Sequence, residues 1–150
     1  MKTLTSVRFF LLMVLFPMLA MATLGESIDS AAKNLSSARV AQKVSALEKY
    51  SVHQYEKNGN TLREYASESG LVFAVGWNGF SKPDLSALFG SYYSEYIEGL
   101  NAVPKQYGVK TVSMKTSKMV VRRGSRMRDQ KGFAYVPSLV PEGVNIEELQ

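Results

Sequence analysis

The sequence has no cysteine and only one histidine. Without thiols there is no disulfide framework, no thiol nucleophile and no cysteine-ligated metal. One histidine with no thiol to join it argues against a zinc site, and no cofactor is expected. No long apolar run follows residue 22, so the processed form is expected to have no transmembrane segment. There is no internal repeat and no low-complexity segment. No G-x-S-x-G element is present to supply an activated serine. The stability of such a chain rests on its core alone.

Its beginning is more informative. Lys2 and Arg8 form a positive n-region, and the run Phe9 to Met18 (FFLLMVLFPM) is apolar. Ala20-Met21-Ala22 then has the A-x-A pattern of a cleavage site. The apolar run is shorter than the roughly 18 residues a membrane span needs. The expected organisation is therefore a cleavable signal peptide, residues 1–22, followed by a single domain, residues 23–150, delivered to the periplasm or secreted. With Lys2 and Arg8 removed, 16 basic residues face 13 acids, a net charge of +3 rather than +5. So small an excess gives little pull toward an anionic partner by itself.

Residues 26–48 carry Ile28, Ala31, Ala32, Leu35 and Ala38 at helical spacing, with Ser27 as cap, and predict an N-terminal helix. Asn58-Gly59 lies between two strand-like runs, Tyr50 to Lys57 and Asn60 to Ser67. A two-residue Asn-Gly loop closes a tight hairpin because both residues tolerate positive φ. With Lys57 opposite Asn60, counting pairs Tyr55 with Leu62, His53 with Glu64 and Val52 with Tyr65. Ser69-Gly70 offers a second turn into the apolar run Leu71 to Trp77, placing Trp77 beside Leu62 and Phe73 beside Ala66. One face would then carry Tyr55, Leu62, Trp77, Val75 and Phe73. Ser81-Lys82-Pro83-Asp84 starts a long helix, with Ser81 as cap and a stripe of Leu85, Leu88, Phe89, Tyr92, Tyr96 and Leu100. Gly90 falls in its middle, and Asn101 and Pro104 end it. Shorter strands are expected at Val109 to Lys115, Lys118 to Arg123 and Phe133 to Val136, with a turn at Asp129 to Gly132. The fold class is α+β: a mainly antiparallel sheet of about five to six strands, one long helix packed on it, and the N-terminal helix.

The run REYASESGLVFAVGWNGFSKPDLSALFGSYYSEY (Arg63 to Tyr96) resembles the core of the exported bacterial family known as domain of unknown function 2844. The leader, the LGES that follows it, YSVHQYE and the late GFAYVPSLVPEGVNIEEL are similar to the rest of that family's layout. The chain departs from the family pattern at Gly79-Phe80, where Gly-Pro is usual. It departs again at Gly124-Ser125-Arg126-Met127-Arg128, where Gly-Gly-His-Met-Arg is usual, so neither the proline nor that histidine is essential here. The resemblance implies a Gram-negative periplasmic protein and brings no activity with it.

Two constellations carry chemistry. His53 across from Glu64 is the weak catalytic candidate, since a carboxylate can orient an imidazole as general base. The same pair is also an ordinary cross-strand polar contact. Arg122, Arg123, Arg126 and Arg128, flanked by Lys118 and Lys131, form one dense basic patch. Arg122, Arg126 and Arg128 would share one face of a strand, with Arg123 on the other, and are the candidate binding residues for an anionic group. A charged edge strand that resists aggregation has the same look. Nucleic acid is not an expected partner of an exported protein. Ser30-Ala31-Ala32-Lys33 matches S-x-x-K, but seventeen serines and eleven lysines produce about one such match by chance. The function expected is a non-enzymatic binding or accessory module of the cell envelope, with an envelope protein or an anionic envelope component as partner. The alternative is a small periplasmic hydrolase or lyase using His53 and Glu64.

Overall fold

The computed structural model describes residues 24–28, 41–44, 49–104 and 111–150, with 41–44 as backbone alone. Among these residues, seven strands form one antiparallel sheet: β1 (Ala41–Val44), β2 (Tyr50–Lys57), β3 (Asn60–Ser67), β4 (Val72–Gly79), β5 (Thr111–Lys115), β6 (Val120–Arg126) and β7 (Asp129–Tyr135). Their order is β1-β2-β3-β4-β7-β6-β5. Two meanders therefore meet at β4 and β7. Between them run helix α1 (Leu85–Phe89), a 3-10 turn (Gly90–Tyr92) and helix α2 (Tyr93–Ala102). The α+β class stands, as a mainly antiparallel sheet with one long helical segment.

The Asn-Gly hairpin forms as counted. Asn58 and Gly59 have φ of 51° and 75°, and Tyr55↔Leu62, His53↔Glu64 and Val52↔Tyr65 are paired. Trp77 pairs with Leu62, but Ala66 pairs with Val72 rather than Phe73, because the register shifts between Tyr65 and Ala66. The extra residue in β4 turns Phe73 and Ala74 to the same side. Phe73 therefore leaves the face of Trp77 and Val75 and packs with Tyr65, Phe133 and Leu149 on the other.

Four further expectations are corrected. Residues 41–44, expected to be helical, are an edge strand on β2, while 29–40, with the S-x-x-K stretch and the body of the helix expected after Ser27, lie outside the described residues. Ser27 itself bridges Leu71. Asp84, not Ser81, caps α1: its Oδ1 accepts from the N–H groups of Ser86 and Ala87, each at 3.1 Å. Gly90 does not sit inside a continuous helix. Its φ of 49° terminates α1, which explains a glycine in an otherwise helical stretch. Asp129 to Gly132 is strand, and the turn is Met127-Arg128, closed by Arg126↔Asp129.

The two faces of the sheet are covered unequally. On the first, α1 and α2 pack Leu88, Phe89 and Tyr96 against Tyr55, Leu62, Val75, Trp77, Val121 and Ala134. Trp77, Phe89 and Tyr96 form a chain of ring contacts with centroids 5.9 and 5.0 Å apart, a geometry favourable beyond the area it buries. Leu24 is fully buried here, its N–H donating to the carbonyl of Leu88 at 3.1 Å. On the second face, only the segment from Pro137 onward packs, through Leu139, Val140, Val144, Ile146 and Leu149. The Tyr65 hydroxyl ties it down by donating to the Leu149 carbonyl at 3.0 Å. The rest of that face has no element over it among the described residues.

Candidate functional site

The hairpin register sets His53 and Glu64 opposite one another on the helix-covered face. The nearest bond of the carboxylate is nevertheless diagonal: the Tyr55 hydroxyl donates to Glu64 Oε1 at 2.6 Å. Both groups are buried, Glu64 to 3% exposure. Burial pushes the Glu64 carboxyl up to about 7, only partly opposed by the Tyr55 hydrogen bond, and holds the Tyr55 phenol above its ordinary value. His53 Nε2 lies 3.2 Å from Ser51 Oγ, and burial lowers its basicity. Tyr55 borders a recess of about 40 Å³ beside Asn60 and Leu88, but neither His53 nor Glu64 lines it. Tyr55 and Glu64 are thus packed in the interior, while His53 is half-buried beside them. Among the described residues, no group of three or more His, Asp or Glu side chains is arranged to hold a metal ion.

The second face is different. Alternation along each strand brings one row of side chains into register across four strands: Arg63 (β3), Gly76 (β4), Phe133 (β7) and Arg122 (β6). Two residues along, the next row is Thr61, Asn78, Lys131 and Gly124. Together they line a groove of about 380 Å³, closed at one end by Tyr65, Leu149 and Gln150. At about 4.8 Å per strand, the two arginine Cα atoms stand about 14 Å apart with the glycine and phenylalanine between them. Among the described residues, no aspartate or glutamate side chain lines the groove. Asp129 is a loose 3.9 Å partner of Lys131. Arg63 Nε donates to Gln54 Oε1 at 2.9 Å and Arg122 Nη1 to Gln150 Oε1 at 2.8 Å. Each bond fixes one edge of an exposed guanidinium, whose planar fork suits bidentate anion contacts.

Of the three arginines singled out in the sequence, the fold places only Arg122 in this groove. Arg126 shares its strand and face but lies at the hairpin end, opposite Asp129, and Arg128 is in the turn. Arg123 does face the other way, over the Tyr96 ring at 6.0 Å. Arg63 was missed, and Lys131 was visible only as a flank of the basic patch. The hairpin count contained a signal for Arg63, since alternation from buried Glu64 turns it to the opposite face. Nothing local joined Lys131 to Arg63, because its segment has the composition of a turn and the β4–β7 pairing is non-local.

Residues 20–149 match the family described as protein of unknown function (DUF2844). No curated protein and no solved structure matches the chain.

Proposed function

We propose that this chain, which belongs to the DUF2844 family, is a non-enzymatic binding module of the bacterial cell envelope that holds an anionic envelope component on the face of its sheet opposite α1 and α2. One observation carries the reading. The groove gathers Arg63, Arg122 and Lys131 from three strands, and among the described residues no acidic side chain lines it. Cations that converge on one concavity from sequence-distant strands focus a positive potential there and draw anions to it. The leader, with its A-x-A at Ala20-Met21-Ala22, supports export to the periplasm or beyond. N-terminal sequencing of the native protein should then begin at Thr23.

The test is crosslinked capture of the tagged protein from its native envelope, wild type beside Arg63→Glu/Arg122→Glu and Arg126→Glu/Arg128→Glu. The reading expects a component that the first variant loses and the second retains. Equal capture by all three would refute it.

The rival reading, a small hydrolase or lyase using His53 and Glu64, draws on a carboxyl that titrates near neutrality beside an imidazole. The burial of Glu64 speaks against it. Turnover of an envelope substrate that vanishes on His53→Ala with folding intact would favour it.

A further inference from the structure

The groove's floor holds glycines that the fold does not require. Gly132 is needed, because a β-carbon there would overlap the Trp77 indole. At Gly76, by contrast, a β-carbon would make only ordinary contact, 3.5 Å from the Phe133 ring. At Gly124 it would meet nothing nearer than the Lys131 side chain at 3.9 Å. Neither has a positive φ. Glycine inside a strand costs about 0.5–1 kcal/mol relative to alanine, so both positions give up stability for the sake of an open groove.

The chemistry of the walls narrows what enters. The groove lies over inner strands whose backbone groups are engaged in the sheet ladder, so an extended peptide finds no edge to pair with. The charged side chains are all donors, two guanidinia and an ammonium, while the Asn78 and Gln150 amides and the Thr61 and Thr111 hydroxyls can both donate and accept. An acidic peptide would bring its carboxylates but leave its backbone N–H and C=O groups without strand partners. A carboxylated sugar brings carboxylates, ring oxygens and hydroxyls. We infer that the groove binds an acidic oligosaccharide, a short uronic-acid chain lying across β3, β4, β7 and β6 with carboxylates at Arg63 and Arg122. This inference rests on the binding-module reading and names its ligand class. The groove volume falls in the range of about 300–1,000 Å³ that accommodates small ligands.

Calorimetric titration of the protein with trigalacturonate tests it, with the fully methyl-esterified trimer and penta-aspartate as comparators. Trigalacturonate should bind, weakening as salt is raised. The ester should bind about tenfold or more weakly, the scale of a lost charge-assisted contact. Gly76→Leu, which fills the floor, and Gly124→Asp, which sets an acid in it, should each abolish binding while keeping the wild-type circular dichroism and melting no lower than wild type. No binding of trigalacturonate, equal binding of the ester, equal or tighter binding of penta-aspartate, or full binding by folded Gly124→Asp would each overturn the inference. If trigalacturonate fails while envelope capture still depends on Arg63 and Arg122, the ligand class falls and the binding module stands. If capture is independent of them, both fall.

Discussion

Replacing Glu64 by glutamine should stabilise this protein above neutral pH and leave it nearly unchanged in acid. The carboxyl is 3% exposed on a face packed with apolar side chains, and its ionisation is pushed from 4.5 to about 7. The folded state therefore keeps a proton that the unfolded chain releases near 4.5. Where the native state binds more protons, stability falls as pH rises. The loss begins near pH 4.5, is complete a little above 7 and amounts to about 3 kcal/mol, at about 1.4 kcal/mol per tenfold change in proton affinity. Glutamine has nearly the shape of the protonated acid, and its carbonyl can still accept from the Tyr55 hydroxyl. Urea unfolding of wild type and Glu64→Gln at pH 4.5, 6 and 8 measures the difference, in which every other titrating group cancels. The variant should match wild type within about 1 kcal/mol at pH 4.5 and exceed it by about 2–3 kcal/mol at pH 8. Parallel pH profiles, or a variant weaker than wild type at pH 8, would refute the reasoning.

Other outcomes follow from the packing. Gly132→Ala should destabilise by about 1–3 kcal/mol in urea unfolding, since the new methyl must displace the Trp77 indole. Asp84→Ala, which removes the acceptor for two α1 N–H groups, should cost about 1 kcal/mol, with Asp84→Asn largely restoring it. Phe89→Ala opens the contact with Trp77 and Tyr96 and should cost about 3–5 kcal/mol, read as a lowered thermal midpoint.

Much of the first meander was legible from residue chemistry. An Asn-Gly pair admits one tight loop, and the pairs across β2 and β3 then follow by counting. The count failed at the bulge, because one added residue in β4 changes no local composition yet moves Phe73 to the opposite core. Residues 41–44 follow an alanine-rich, helix-like stretch, but pairing with β2 overrides that local preference. The β6–β7 turn went to the wrong residues because Met127 and Arg128 have no positive φ and need neither glycine nor asparagine. Asp-Gln-Lys-Gly beside them has turn composition but lies in β7. The groove was only partly visible. Arg122 stood out in a basic run, whereas its convergence with Arg63 and Lys131 depends on β4 meeting β7, a contact between segments more than fifty residues apart.

The most direct test of a binding face on the open side of the sheet is an amide shift map of the isotope-labelled protein, titrated with detergent-solubilised material from its own envelope. The account predicts shifts confined to one patch, at Arg63, Gly76, Asn78, Lys131 and Gly124, absent in Arg63→Glu/Arg122→Glu. Shifts centred instead on His53 and Glu64, or an unchanged spectrum at saturating extract, would contradict it.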